Sequence, residues 1–558
     1  MPSEQSTPLM FTRWYSLLSN SMHTGYWIPS MLSILILLPS CGTTGPSTGI
    51  APTPVMRTLA QGDSITVIPG PEYSAGGFHR FWFGDHYRDL WTEPTTVPVL
   101  NLAEFAGGLE PLEAGGGFQT KSLRFRGMDG HFYKFRSANK DPKAVLPLEL
   151  RETVAADLAQ DHISTSHPCA ALIVDELAGA VGVPQLHPRF VYLPESPMLG
   201  EFGREFGGLL GILELYPDAD DEGMSDFLGA RKIRNTIKMF RAMEEDSDDR
   251  PDQFRYLNAR LLDLLVGDWD RHVKQWKWAE FKEDGRKVWA PIPMDRDQAM
   301  VRLDGVLPSV AAMAITQFTD FTEGVPDIEK LTFSGRFLDR RLLVGINRAE
   351  WDSAAAVFAG ALTNERLEAA VNRMPPEYRR LEGNRLLAIL KDRRDNLHTT
   401  ARQFYDLVSD FVDLYLSDKR EYVQVVRLPE GGVEVTAWRR KKGGKDPDRE
   451  RMVFHRKFSA EETDEIRIYT LGGDDIIHVS GVVSESILVR VVGGKGDDEF
   501  LDESVVDGLL WGFVPFTSSP ETATYFYDHQ GDNLFSSSVS TSVDESQYRT
   551  PPGGIAQY

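Results

Sequence analysis

"GDWDRHVKQWKW", residues 267–278, sets three tryptophans among two aspartates, an arginine, a histidine and two lysines, and a further acidic pair follows in "MDRDQAM", residues 294–300. Burying charge is costly unless it is paired or holds a metal. A stretch that alternates large apolar rings with ionisable groups therefore marks either a buried ion-pair network or a working site. Upstream, Phe254, Leu257, Leu261, Leu264 and Leu265 recur at helical spacing in "QFRYLNARLLDLLVGDWD", and Gly267 stops the pattern. Downstream, "WKWAEFKEDGRKVWAPIPMD" reads as a hairpin about an Asp284-Gly285 turn. The hairpin brings the chain back to its origin. A loop carrying Asp268, Asp270, Arg271 and His272 then lies beside the strand end that delivers Asp295 and Asp297.

Working outward, residues 58–110 mix short aromatic strand-like pieces without a clear period. "GGGFQTKSLRFRGMDGHFYKFRS", from Gly115, reads as a glycine turn followed by two strands about a Met-Asp-Gly turn. "SHPCAALIVDELAGAVGV" (166–183) reads as a helix with Ser166 as N-cap, Pro168 in its first turn and Gly182 at its end. "PRFVYLP" and "FGGLLGILELYP" read as strands, and helical patterns dominate from 327 to 415. The longest of these is "GNRLLAILKDRRDNLHTTARQFYDLVSDFVDLYL". At Tyr422 the period changes to two, which places a domain boundary near residue 420. The acidic stretches "DADDE" (218–222) and "EEDSDD" (244–249), and the basic run Arg439, Arg440, Lys441, Lys442 and Lys445, read as solvated loops.

The 558 residues are too many for one core. A formal charge of −22 argues against a general nucleic-acid binder, which needs a basic face to replace counterions. "MLSILILLPSCG" (31–42) is too short to span a bilayer but suits a signal-peptide core. It resembles the lipobox of bacterial lipoproteins, which implies lipidation at Cys41 and a membrane-anchored protein of the cell envelope, at the outer membrane, rather than a membrane-spanning one. Residues 1–41 are then the signal segment and 42–57 a flexible tether, with Cys169 left without an intramolecular disulfide partner.

The parts at 267–297 are those phosphoryl transfer needs: an acid to orient the attacking hydroxyl and oxygen ligands for a metal bridging the phosphates. "DRHVKQ" resembles the catalytic loop of atypical kinases of the phosphatidylinositol-kinase type, Asp-Arg-His-x-x-Asn, and "PMDRD" stands in the place of their metal-binding aspartate. The order of elements over roughly 110–300 is similar, as it is in the secreted and spore-coat branches of that superfamily. The resemblance implies Asp270 as catalytic acid/base, with Arg271 and His272 beside it. It implies Asp295, Gln275 and Asp297 as ligands of Mg²⁺ or Mn²⁺ carrying an ATP-like nucleotide. It further implies Lys134 or Arg136 as the phosphate-pairing cation and Gly115, Gly116 and Gly117 as the phosphate-covering turn. The chain departs from the pattern in two ways: Gln275 replaces the asparagine, and no glutamate holds the usual place in helix 166–182, which leaves Glu149, Glu152 and Glu176 as candidate partners of the cation. "GDWDRHxxQWxW…DRDQA" also resembles the middle segment of large bacterial outer-membrane proteins that carry a metallophosphoesterase and a surface-antigen β-barrel, which implies an outer-membrane protein partner. Two other readings of the same residues stand beside the kinase one. In the first, Asp268, Arg271 and Asp297 form a buried ion-pair network with Trp269, Trp276 and Trp278 as core anchors. In the second, Asp268, Asp270, His272 and Asp295 serve a metal-dependent phosphohydrolase.

Near the C-terminus "IRIYTLGGDDIIHVSG", "ILVRVVGGKGDDEFLDE" and "ATYFYDHQGDNLFSS" repeat a strand, a Gly-Asp turn and a strand. "GGKGDDEFL" (493–501) fits the nonapeptide of calcium-binding β-rolls, with Asp498 as candidate Ca²⁺ ligand. The spacings of 23 and 35 between Gly473, Gly496 and Gly531 fit a stack of coils with ordinary Gly-Asp turns equally well. The expected architecture is α+β: a two-lobed kinase-like domain over 58–420, followed over 421–558 by a small all-β domain, β-helical or sandwich-like. The expected function is a membrane-anchored, metal- and nucleotide-binding phosphotransferase; the alternative is a catalytically inactive kinase-fold scaffold in the cell envelope.

Overall fold

The computed structural model describes residues 50–58, 63–115, 119–146, 151, 153–218, 227–314, 319–441, 443–507, 522–546 and 548. Cys41, Gly116, Gly117, Glu149, Glu152 and Lys442 lie outside these residues. Helices and sheets are both present and largely segregated along the chain, in a mixed α/β arrangement with several sheets. Among the described residues no helix is long and apolar enough to cross a membrane.

The sheet that roofs the site is antiparallel and five-stranded, in the order Leu109–Gly115, Ser122–Gly127, Phe132–Ser137, Leu209–Leu215, Arg189–Leu193. Its strands alternate, so Leu123, Phe125, Phe135 and Leu213 bury one face while Arg124, Lys134, Arg136 and Glu214 occupy the other. Gly211 has no room for a side chain, because a Cβ there would stand 2.1 Å from the Arg136 carbonyl. Beneath lies a four-stranded sheet containing the hairpin Trp276–Glu283 and Arg286–Pro293. Its turn residues Asp284 and Gly285 both have positive φ, +48° and +80°, the geometry that matches strand twist in a two-residue hairpin. The largest core joins these sheets to the helices and contains Trp276, Trp278, Trp289 and Trp351, all fully buried.

From Phe411 onward every described element is a strand. Glu465–Tyr469, Ile476–Ser480, Leu488–Val492, Glu499–Asp502, Thr524–Tyr527 and Leu534–Ser536 alternate between two sheets, each pairing in parallel with the strand one coil earlier or later. The chain therefore winds in coils around a core of Ile466, Ile468, Ile477, Val479, Val489, Val491, Phe500 and Phe526. An antiparallel meander, Glu421–Arg427, Val433–Arg440 and Pro447–Phe458, extends one of the sheets.

Several expectations need correction. Helix Ala170–Ala180 starts beyond Ser166 and Pro168, with Cys169 at its N-cap. The expected longest helix is two, Pro376–Asp395 and Leu397–Ser409, and "FVDLY" is a strand pairing with Glu465–Tyr469, so distant pairing overrides local periodicity. Phe254 is 49% exposed and sits off the buried face of its helix. The end of the expected tether is docked: Val55–Thr58 pairs with Ser64–Val67, and the Thr53 N–H donates to the Gly208 carbonyl at 2.9 Å. One residue of the basic run meets the stretch 244–249: Arg439 pairs with Asp246, and beyond the run Arg451 pairs with Asp248 at 2.7 Å, which ties the end of helix Thr236–Glu245 to the meander, whereas Lys441 and Lys445 stay exposed as expected.

Candidate functional site

The helix Gln253–Val266 ends at Gly267 in the left-handed conformation, φ +67°, which turns the chain out of the helix into the loop. The charged residues that follow divide into two groups. The first is a closed network of three arginines and three aspartates. Arg260 donates to Asp339 at 2.7 and 3.0 Å and to Asp263 at 2.7 Å. Arg296 bridges Asp263 and Asp268, the latter at 3.0 Å. Arg271 stands 3.3 Å from Asp263 and 3.6 Å from Asp268. Burial raises the Asp268 carboxyl above its ordinary range, while the three guanidiniums outweigh burial and lower Asp263. Arg271 is wholly buried, with its cation 4.5 Å from the Trp276 ring centre. It donates to the carbonyls of Met294 at 2.7 Å and Gln275 at 3.2 Å, fastening the loop to the end of the hairpin.

The second group faces the underside of the five-stranded sheet. Asp270 accepts a hydrogen bond from Gln275 Nε2 at 3.2 Å, and its other oxygen is buried without a hydrogen-bond partner. Burial, aided by the nearby Asp297 charge, pushes this carboxyl up to about 6. His272 Nε2 lies 3.7 Å from Asp270, and its Nδ1 accepts the Lys274 N–H at 3.1 Å. Burial and then the Arg271 charge lower its pKa. Asp295 pairs with Arg136 and Asp297 with Lys140. Burial opposes the Asp295 charge, but Arg136 and Lys140 outweigh it and hold the carboxyl at about 2. Asp295 also sits at φ +56°, a conformation uncommon outside glycine; such strain, of order 1–3 kcal/mol, clusters at functional sites. Arg136 reaches back to Glu214 at 3.1 Å. Lys134, two positions earlier on the same strand face, is lowered to about 8 by burial and then by Arg136.

Asp270, His272, Gln275, Asp295, Asp297, Arg136 and Lys134 thus come to one cleft, and Gly115 ends the strand Leu109–Gly115 at the roof. Asp297 belongs to this cleft and not to the buried network, where Asp263, Arg296, Arg260 and Asp339 take the expected place. Trp276 and Trp278 are core anchors, whereas Trp269 is only partly buried. Glu176 pairs with Arg373 at 3.8 Å rather than with Lys134 or Arg136. The carboxylate that reaches Arg136 is Glu214, which sequence reading passed over; a lone acid inside "LLGILEL" was its signal. Lys140 follows the roof strand in a loop without pattern and gave none.

Among the described residues no group of three or more histidine, cysteine or acidic side chains is placed to hold a metal ion. Asp295 is an ionised carboxylate and Gln275, donating through its nitrogen, keeps an amide oxygen for a cation; these suit Mg²⁺, which takes one or two protein oxygens and completes its shell with phosphate and water. In the coils, Asp498 accepts the Asp475 N–H at 2.8 Å, and Glu421, Asp475, Asp498 and Asp528 each keep one buried oxygen without a hydrogen-bond partner.

No protein-family model and no curated protein matches the chain. Among solved structures it is similar to a Helicobacter pylori proinflammatory kinase, CtkA, with 11% identity and a TM-score of 0.27 over 53% of this chain and 96% of that one. It is also similar to a structure of the Shewanella oneidensis HipA–HipB toxin–antitoxin system with its operator DNA. That likeness has 13% identity and a TM-score of 0.23 over 53% of this chain and 65% of the other. Superpositions this loose carry no weight for the function.

Proposed function

We propose that the chain is a kinase-like phosphotransferase module that binds a divalent metal and a nucleotide or related phosphate compound, held to the cell envelope by a lipid on Cys41. The observation that carries this reading is the pairing of two unlike aspartates. Asp270 is a carboxyl raised to about 6 with one oxygen free of hydrogen bonds, and Asp295 is a carboxylate held at about 2 in the same cleft. Environments that push two acids apart assign them different roles. Asp270 has the basicity to accept a proton from an acceptor hydroxyl, with the Gln275 amide fixing its orientation. Asp295 and the Gln275 amide oxygen would hold Mg²⁺ or Mn²⁺, with Asp297 beside them; the ion would neutralise charge on the phosphate oxygens. In that state Arg136 and Lys140, now resting on the two carboxylates, become available to phosphate. Arg271 and its network hold the loop and hairpin end in register.

A second reading is favoured by one observation. Because the chain's own Arg136 and Lys140 already neutralise Asp295 and Asp297, those two carboxylates need no metal, which is also consistent with a catalytically silent envelope scaffold, associated with an outer-membrane protein or phosphoesterase. Transfer of labelled γ-phosphate from ATP to water or to a hydroxyl acceptor separates the two. Transfer that Asp270→Asn abolishes supports the phosphotransferase, and a well-folded protein with no transfer under any metal supports the scaffold.

A further inference from the structure

In a chain of net charge −22, one surface collects cations. On the underside of the five-stranded sheet Arg124 stands opposite Lys134 across two paired strands, and Arg126 lies opposite Phe132 on the same face. Like charges directly opposite one another destabilise a strand pair. From below, Lys277 of the hairpin strand Trp276–Glu283 points to the same place. The three side chains surround one ring: Lys277 Nζ is 4.1 Å, Lys134 Nζ 5.3 Å and Arg124 Cζ 5.5 Å from the centre of Tyr216.

Among the described residues the nearby acids are shared or taken. Asp218 is shared between Arg124, at 3.3 Å, and Lys277, at 3.4 Å, and Glu113 reaches Arg124 at 3.0 Å. Glu214 and Asp295 are both taken by Arg136. Lys134 and Arg126 have neither an ion pair nor a hydrogen bond among the described residues. Burial and then the Arg136 charge lower the Lys134 pKa to about 8, against the opposing pull of Asp295 and Glu214, both of which are paired with Arg136. The Arg124 guanidinium itself lies against both the Phe132 ring, at 5.4 Å, and the Tyr216 ring, a cation–π arrangement that holds the cation in place.

We propose that Arg124, Lys134 and Lys277 around Tyr216 form a subsite for a run of clustered phosphates, so that the cleft takes its ligand by a polyphosphate group rather than by a base. The placement of this subsite next to Asp295 rests on the reading of the cleft given above, but the binding it predicts needs no metal. A nucleoside triphosphate and a base-free polyphosphate share the recognised chemistry, and the probes below separate them.

The test is calorimetric titration of the full chain, in EDTA, with inorganic tripolyphosphate, ATP and adenosine, beside the double variant Lys134→Gln/Lys277→Gln. The expected result is that tripolyphosphate binds within about tenfold of ATP and adenosine does not bind. The double variant loses at least about tenfold for both anions while its thermal midpoint is kept. Failure of tripolyphosphate to bind at millimolar concentration, or equal binding by a folded double variant, overturns the subsite. ATP binding more than about a hundredfold tighter than tripolyphosphate shows that the base is read and overturns the polyphosphate selectivity. The two readings fail separately. Metal-dependent ATP binding without tripolyphosphate binding leaves the kinase-like cleft and removes the subsite; tripolyphosphate binding with no metal response does the reverse.

Discussion

Replacing Arg271 with methionine tests the division of charges on which the account of the site depends. Its guanidinium is fully buried, faces Asp263 and Asp268, and donates to the Met294 and Gln275 carbonyls. Methionine fills much of the volume but leaves two buried carboxylates with one less cation and two carbonyls without a donor. Breaking a buried pair by removing one partner costs about 3–5 kcal/mol. With a urea dependence of about 1–3 kcal/mol per molar, that lowers the unfolding midpoint by roughly 1–5 M. Tryptophan fluorescence reports it directly, since Trp276 carries the Arg271 cation on its ring. The loss should also depend on pH. The Asp268 carboxyl is raised in the folded protein and rises further without Arg271, so protonation relieves the unpaired charge and the deficit shrinks as pH falls. A deficit below about 1 kcal/mol, no larger than that of the exposed Arg126→Met, would refute the reasoning that this network fixes the loop.

Asp270→Asn should cut phosphate transfer by about 10²–10⁴ with nucleotide binding kept, and the wild-type kcat/KM should rise as pH climbs through about 6, where Asp270 loses its proton; a profile flat across pH 5–7 contradicts the general-base role. Gly496→Ala sets a Cβ 1.8 Å from the Gly473 carbonyl at φ +138°, so it should destabilise the coils by about 4 kcal/mol or more, measured by urea unfolding of purified protein. Asp498 is raised to about 7 by burial, above its unfolded value near 3.9. The stability it contributes is therefore complete below about pH 4 and is lost as pH rises through about 7. The unfolding midpoint should fall between pH 5 and pH 8, and fall less in Asp498→Asn; equal slopes would dismiss that carboxyl as the source.

The local parts of this structure were legible because each has a short-range cause. The Gly267 stop, the Asp284-Gly285 hairpin and the strands on either side of the Met-Asp-Gly turn follow from backbone preferences and period. That same hairpin return makes the meeting of Asp270 with Asp295 and Asp297 readable from a dozen residues on each side. What stayed hidden depends on distant partners. "FVDLY" looks helical until a strand more than fifty residues later pairs with it, and Asp246 looks solvated until Arg439 is found beside it. Glu214 is an isolated acid in an apolar strand, and only the sheet register shows it across from Lys134 and within reach of Arg136. Asp297 changed groups for the same reason, since Lys140 lies 157 residues away in sequence.

The most direct test of the central claim is titration of ATP with Mg²⁺ or Mn²⁺ into the full chain beside Asp295→Ala. The account predicts metal-dependent nucleotide binding by the wild type, with Arg136 and Lys140 released from the carboxylates, and loss of that metal dependence in the variant. A folded wild-type protein whose phosphate binding is indifferent to metal, or a variant that retains the metal response, would contradict it.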